Sequence, residues 1–473
     1  MASHYPYRYE RTATISELQE RYEQLEAGTE TGNQVRVAGR LMTIRSQGKV
    51  AFADLQDATG RIQLFAQQAV LGDDGMKSFT DLGVGDIVGA EGEVMRTRRG
   101  ELSVRVADVT LLAECLRPMP DNWHGVTDVE ARYRQRYLDL LFNEAPQRAL
   151  RARAAANAAI RRFFDERGFI EVETPLFQPI AGGAVARPFV THHNTLDIDL
   201  YLRIAPELYL KRLLIGGLER VYELNRSFRN EGLSTRHQAE FTMLEAYEAY
   251  VDYNDTMTLV EELVREIARA VNGTTAVDYD GRNVDLEKPF KRMTMFEVIV
   301  EATGRDLTDL WSQQDIGALQ AAARDLDVRI DPKWPIGKLM MEIFEQTTEK
   351  QLVEPTYVAG MPKDVSPLAK DHRSIPGFTE HADLVICGVE LAPVYSELND
   401  PEEQRRRLEQ QARARAAGDE EAHLQDEDFL TALSYGMPPA GGFGLGLDRL
   451  LVLLLGETTW REVVLFPTLK PEA

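Results

Sequence analysis

The 473-residue chain has two cysteines, Cys115 and Cys387, and no stretch near the roughly 20 consecutive apolar residues that cross a bilayer. Two cysteines exclude a disulfide framework and a thiolate metal site, and both lie in apolar-flanked segments, as expected of buried inert thiols. Met1 to Glu10 lack a basic-then-apolar secretion signal, so a soluble, cytoplasmic protein with no membrane partner is expected. Excess positive charge is also absent. The 54 Lys and Arg stand against 76 Asp and Glu, a formal net charge of −22, which argues against broad phosphate binding. What remains is a globular composition, 44% hydrophobic and 27% charged, long enough for two or three domains and typical of a large enzyme.

The charge is uneven. Residues 1–120 hold 14 Lys and Arg against 17 Asp and Glu, a net −3, which leaves −19 for the remaining 353 residues. An N-terminal module can therefore approach a polyanion if arginines such as Arg36, Arg40, Arg45, Arg96, Arg98 and Arg99 face it, although a solvated face is the plainer reading. Five short alternating segments, Val35–Gly39, Val50–Asp54, Arg61–Phe65, Asp86–Ala90 and Leu102–Val106, predict a small β-barrel, and the oligonucleotide-binding barrel fits their count and length. Prolines between Arg117 and His124 mark a boundary. A helical region follows over Asp128–Arg167, then strands at Phe169–Pro175, Leu200–Ile204, Arg220–Leu224 and Glu240–Ala249. An amphipathic helix spans Leu259–Val271 with Gly273 as its cap, and Asp400–Glu427 reads as a solvated helix pair. These segments predict an α+β domain with a largely antiparallel sheet.

Three segments place charge inside apolar strands, where an unpaired charge is costly. In Arg226-Ser-Phe-Arg-Asn-Glu-Gly232, Arg229 and Glu231 are two apart and would share one side of a strand, suited either to a structural salt bridge or to gripping a carboxylate or phosphate. Downstream, Phe241 has a face on which a base can stack. Glu390, Tyr395 and Glu397, after Asp383, suggest magnesium ligands or a cage for a cation. Gly441-Gly-Phe-Gly-Leu-Gly-Leu-Asp-Arg449 runs into Leu450–Leu455, allowing close backbone approach with Arg449 delivered beside it.

In this order the three segments resemble the signature motifs of class II aminoacyl-tRNA synthetases: the first ends at Pro175, the second is Phe228-Arg-Asn-Glu231 and the third is Gly444-Leu-Gly-Leu-Asp-Arg449. Class I signatures are absent. The segments Ala181–Phe189, Arg203–Leu210 and Tyr395–Asp400 look like the lysyl-tRNA synthetase family, of subclass IIb, and the resemblance covers nearly the whole chain from about Tyr5. It implies an oligonucleotide-binding anticodon domain over residues 1–120, a linker over 121–140, and a catalytic domain over 141–473 with a helical insertion around 300–380. The implied sheet is antiparallel, of six or seven strands, and the implied assembly is a homodimer across the first motif.

The implied reaction joins L-lysine to ATP, giving lysyl-adenylate and pyrophosphate, and passes the lysine to the 3′ end of tRNA(Lys). Arg229 would bridge the α-phosphate and the lysine carboxylate. Glu231 and Phe241 would hold adenine, with Arg449 on its other face, so that Arg229, Glu231 and Arg449 are the catalytic set. His237 would lie near the terminal phosphates, and Asp383 and Glu390 match carboxylates that bind Mg2+. Gly183 and Glu207 belong to the lysine site, Glu207 taking the α-amino group. Glu245 and Glu397 would supply charge, and Tyr247 and Tyr395 walls, for the side-chain ammonium. In the barrel, Phe52 and Gln63 match positions that stack on and hydrogen-bond an anticodon base, and Glu101 matches a third.

The sequence departs from the family near the substrate. Pro393 stands where asparagine is usual, His381-Ala-Asp383 where arginine, phenylalanine and glutamate are usual, and Ala181 where proline is. These departures suggest tuned affinity, as in a secondary or inhibitor-resistant copy. Rival readings are a paralogue that loads a non-tRNA acceptor and a non-catalytic protein retaining the fold. Relatives that modify elongation factor P lack the barrel. Aspartyl and asparaginyl enzymes need other pocket chemistry than Glu245 and Glu397 provide.

Overall fold

The computed structural model describes residues 5–120, 126–232, 234, 237–416 and 422–471, which form two compact units, Met1–Val129 and Glu130–Ala473. In the expected linker, residues 121–125 lie outside the described residues, and Val129–Arg134 and Arg136–Phe142 are helices.

In the first unit, β1 (Glu30–Gln47), β2 (Val50–Gln56), β3 (Arg61–Gln67), β4 (Ile87–Arg96) and β5 (Leu102–Ala113) close a barrel in the order β1-β2-β3-β5-β4. Period-two alternation decides which residues fill it: Ala51, Ala53 and Leu55 are buried, while Phe52 and Asp54 between them are half-buried on the outer face. Two of the arginines read most plainly as a solvated face bond main-chain carbonyls instead. Arg96 donates to the carbonyls of Gly100, Tyr22 and Glu23, and Arg40 to that of Gly85. Cys115 is half-buried rather than buried, whereas Cys387 is buried.

The second unit is built on β6 (Ile170–Glu171), β10 (Arg220–Phe228), β11 (Glu240–Ala249), β14 (Lys291–Thr294), β15 (Thr356–Pro362), β16 (Phe378–Ile386), β17 (Val389–Ser396) and β18 (Ala440–Gly446), in the order β14-β15-β16-β17-β18-β11-β10-β6. A three-stranded sheet, β7 (Phe177–Gln178), β8 (Val190–His193) and β9 (Ile198–Leu202), and a hairpin, β12 (Ala276–Tyr279) with β13 (Arg282–Asp285), complete the strands among the described residues. The expected six or seven antiparallel strands become eight. The central six are antiparallel, and both edge pairings, β14 with β15 and β6 with β10, are parallel. Of the strand expected over Phe169–Pro175, only the two residues of β6 pair.

The helix Tyr253–Asn272 starts on a capping box at Asp252 and ends at Gly273 in the left-handed region, φ 70°. With the helices Glu144–Asp165 and Leu447–Leu455 it packs on one face of the large sheet, in a core that includes Phe164, Tyr222, Leu244, Phe443 and Leu445. Four helices between Met295 and Thr347 form a separate apolar cluster around Trp311, Met340 and Phe378.

Arg136, 1% exposed, pairs with fully buried Asp139 and donates to the carbonyls of Leu465 and Arg461, tying that segment to the helix Arg136–Phe142 within the second unit. Arg136→Met removes one of the two arginines paired with Asp139, which keeps Arg132 at 2.9 Å, and should cost about 1–3 kcal/mol. Urea unfolding followed by tryptophan fluorescence measures this; an unchanged midpoint would remove the anchoring role.

Candidate active site

The same alternation that buries one face of the large sheet assembles the site on the other. Ala246 and Val394 flank Phe443 on the core side. Their neighbours one residue along project oppositely, so that His381, Tyr395, Gly442 and Tyr247 form one row across four strands. Beside it, Glu223 pairs with Glu245, and Glu245 with Gly444. The glycines of β18 are what make the row open. A Cβ at Gly442 would collide with Glu397 Oε1 and the Tyr247 ring, and one at Gly444 would lie 3.0 Å from Met243 Cε.

Into this space come three carboxylates. Glu207, at the start of the helix Glu207–Ile215, packs against Gly183, where a Cβ would lie 3.0 Å from that of Glu207; Gly183 itself has φ 87°. Glu397, 1% exposed, follows β17. Glu245 is buried in β11, the only hydrogen bond to its carboxylate among the described residues coming from the Tyr247 hydroxyl at 3.4 Å. Burial, with Glu207 and Glu223 nearby, holds the Glu245 carboxyl well above the usual glutamate range. Burial likewise pushes Glu397 up to about 7 against the opposing pull of Lys211.

Lys211 is not among the residues that the sequence singles out. Its Nζ lies 2.6 Å from both Glu207 Oε1 and Glu397 Oε2 and donates to each, which leaves Glu397 Oε1 without a partner. The signal for half of this arrangement is present in the chain: Glu207 and Lys211 are four apart, the spacing of a helical ion pair.

Arg229 lies just beyond β10, which ends at Phe228, so Arg229 and Glu231 do not share a strand face as expected. No Arg229–Glu231 ion pair occurs among the described residues, and Glu231 is exposed. The Arg229 guanidinium instead lies over the Phe241 ring, 5.0 Å from its centroid, with Nε unpartnered. Burial makes this guanidinium unusually acidic for arginine, the condition of a cation awaiting an anion. Arg449 donates to the Glu390 carbonyl at 3.0 Å and lies 3.5 Å from Glu390 Oε2. Arg229, Glu231, His237, Phe241, Glu390 and Arg449 line one pocket together with Pro393. His237, Asp383, Glu390 and Arg449 also line a neighbouring cavity of about 620 Å³. His237 is largely exposed and paired with the Ser234 hydroxyl at 3.1 Å, and partial loss of water around its ring, followed by Arg449, lowers its pKa.

Asp448 of the third motif is a support. It pairs with Arg153 and accepts from the backbone N–H of Thr242 at 2.9 Å and from Gln238 at 3.1 Å, fixing the helix Leu447–Leu455 against β11. His381 bridges the Ser366 hydroxyl, at 3.0 Å from Nδ1, and Asp383 Oδ1, at 2.9 Å from Nε2. Asp383 and Glu390 are half-buried carboxylates on adjacent strands lining one cavity, a hard-oxygen set that fits a divalent cation sharing its remaining positions with phosphate and water. No group of three metal-ligating side chains occurs among the described residues.

On the barrel, Phe52 stacks on its cross-strand neighbour Phe65, ring centroids 5.0 Å apart. Gln63, two residues before Phe65 on the same face, accepts from the Ser103 hydroxyl at 3.0 Å, and Glu101 is exposed at the entry to β5. Phe52 and Gln63 therefore share one outer face, and Glu101 lies two residues before Ser103, the register partner of Gln63.

Comparison with known proteins agrees with both units. The family described as tRNA synthetases class II (D, K and N) matches residues 128–470, and the OB-fold nucleic acid binding domain matches residues 35–112. The lysine–tRNA ligase of Moorella thermoacetica is 52% identical over 98% of this chain and 93% of its own. That of Thermosynechococcus vestitus is 51% identical over 100% and 94%, and that of Carboxydothermus hydrogenoformans 49% over 98% and 93%.

Proposed function

Since the chain belongs to the class II tRNA synthetases of the D, K and N group, we propose that its geometry serves a lysine–tRNA ligase, activating L-lysine with ATP before loading tRNA(Lys). The observation that carries the choice of amino acid is the pair of buried acids, Glu245 and Glu397: Glu397 Oε1 has no partner, and the Glu245 carboxylate is bonded only by the Tyr247 hydroxyl among the described residues. An aspartate or asparagine side chain offers such a pair no cation, whereas an ammonium brings charge and three N–H donors.

Glu207 takes the α-amino group beside Gly183, and Tyr247 and Tyr395 wall the lysine side chain. Arg229 holds the carboxylate against the α-phosphate. A lysine carboxylate oxygen bonds to that phosphorus as its bond to the bridging oxygen breaks, and pyrophosphate leaves. Glu231, Phe241 and Arg449 hold adenine; His237 faces the terminal phosphates. A terminal tRNA hydroxyl then attacks the lysyl carbonyl and AMP departs. Asp383 and Glu390 would hold Mg2+, which supplies charge neutralisation on the phosphates.

ATP–pyrophosphate exchange with each of the twenty amino acids, followed by charging of lysine tRNA, tests this reading; exchange with an amino acid other than lysine would overturn it. Pro393, facing Asp383 in register without a side-chain donor, favours a second reading, a copy with altered affinity or acceptor. A lysine KM in the range of its relatives would remove the reason for it.

The first unit, with Phe52, Gln63 and Glu101, reads as the anticodon domain. Phe52→Ala should weaken tRNA(Lys) binding by about 1–3 kcal/mol while leaving lysine-dependent exchange unchanged. A filter-binding titration beside the exchange assay checks both halves. The exposed apolar residues Ile170, Leu176, Phe177 and Val190 around the first motif support a homodimer there, and no helix among the described residues is long and apolar enough to cross a membrane, in keeping with a cytoplasmic enzyme.

The raised pKa of Glu397 gives a pH dependence with a definite sign. Lysine binding needs the ionised acid, so below about 7 protons compete and affinity falls, by up to about tenfold per pH unit for one proton. Lysine KM should therefore decrease as pH rises from about 6 to 8, and Glu397→Gln should flatten that slope. A KM profile independent of pH in the wild type would count against it.

A further inference from the structure

We propose that Lys211 is a positioning residue that sets the charge of the amino-acid pocket, so that the pocket selects a substrate of net charge +1. This deepens the lysine–tRNA ligase reading and rests on it. Lys211 is completely buried, on the helix that carries Glu207, and its ammonium reaches Glu207 Oε1, Glu397 Oε2 and, at 3.4 Å, the Leu368 carbonyl.

A buried cation pressed between the two acids assigned to the substrate's two ammonium groups needs an explanation, because it shares the acids on which the substrate depends. Charge counting supplies one. The pocket holds three carboxylates, Glu207, Glu245 and Glu397, against two cations, Lys211 and Arg229. With all five ionised this is a formal −1, and zwitterionic lysine with its side-chain ammonium carries +1. Within the amino-acid pocket neighbouring charge does not change the count: Arg203 pairs with Glu223 at 2.6 Å, and His423, which senses Lys211, is held neutral by burial with a pKa near 4, while Glu231, Glu390 and Arg449, which also act on Arg229, line the adjoining pocket. Without Lys211 the same pocket would carry −2, which burial opposes. Either it would take up protons and lose grip on lysine, or it would come to suit a dication.

A second effect is geometric. Nζ holds one oxygen of Glu207 and Oε2 of Glu397, and leaves Glu397 Oε1 unpartnered. The acids are fixed in place while capacity remains for incoming N–H donors. Fixed acids lower the cost of ordering the site on binding.

The test compares L-lysine with lysinamide, which keeps both ammonium groups, lacks the carboxylate and carries +2. Lysine binding is read by calorimetry without ATP and by KM in pyrophosphate exchange; lysinamide is read as a competitive inhibitor. In Lys211→Met, lysine KM should rise about tenfold or more with the KM for ATP little changed, and the preference for lysine over lysinamide should fall about tenfold. The double variant Lys211→Met with Glu397→Gln restores the formal −1. It should bind lysine weakly yet recover the wild-type preference, and it decides the matter if the single variant does not fold. A purely structural role for Lys211 predicts that both ligands weaken equally, or that the double variant keeps the single variant's preference; either result overturns the proposal. Absence of lysine-dependent exchange in the wild type would instead overturn the ligase reading.

Discussion

Replacing Arg229 with alanine should lower kcat/KM for lysine-dependent pyrophosphate exchange by about 10²–10³-fold, with no loss of thermal stability. The two halves of that expectation come from one observation. The guanidinium is largely withdrawn from water, its Nε has no partner, and it rests on the face of Phe241 with no carboxylate paired to it. Such a cation adds nothing to the folded state by itself, since its desolvation is offset only by the ring and by more distant acids. It becomes useful when a carboxylate and a phosphate, both anions and mutually repelling, must be brought into contact. Its loss should therefore appear in the rate of the bimolecular step rather than in folding. The conservative change Arg229→Lys should retain little of the activity, because an ammonium cannot grip two planar anions bidentately. A loss smaller than tenfold in the alanine variant, measured at saturating ATP, would mean that another cation bridges the reactants.

Glu245→Gln should raise lysine KM about a hundredfold or more and at the same time raise the melting temperature. Glu245 has no ion-pair partner of its own among the described residues, and burial beside Glu207 and Glu223 makes its ionised form costly. An amide of the same shape removes that cost. Activity and stability thus move in opposite directions at one residue, the signature of a group retained for a ligand. Scanning calorimetry with and without saturating lysine separates the two: the wild type should gain more from lysine than the variant does. If the variant were less stable and bound lysine as well as the wild type, Glu245 would be a structural residue.

The acids are legible in the sequence for a physical reason. Charges such as Glu245 within Met243–Tyr247, or Glu397 at the end of a strand with Leu391 and Val394, break an apolar alternation and have to be accounted for. The helix Tyr253–Asn272 is equally plain, since its apolar period and its cap at Gly273 are local. The parallel edges of the large sheet are not legible. β14 joins β15 across 61 residues that hold four helices, and no local pattern states which strand lies beside which. The geometry around Arg229 escapes the sequence for a related reason. Two residues of spacing imply a shared face only while the strand lasts, and β10 stops at Phe228. Lys211 is hidden by its company. On the helix it follows Leu208 and Leu210 and reads as one more residue of a solvated turn, and only the tertiary approach of Glu397 turns it into a buried charge.

The strand Ala440–Gly446 has consequences for anyone seeking to alter what the enzyme accepts. Its glycines make the floor of the pocket out of bare main chain, with Glu397 and Tyr247 resting where a methyl group would stand at position 442. Redesign usually begins by trimming a side chain to admit a larger guest or enlarging one to exclude it. Here the floor has nothing to trim, and the smallest enlargement displaces an acid and a ring together. If these residues hold the amino acid as proposed, new specificity has to be written on the neighbouring strands, at Glu245, Tyr247, Pro393 and Tyr395, while the floor constrains every variant alike.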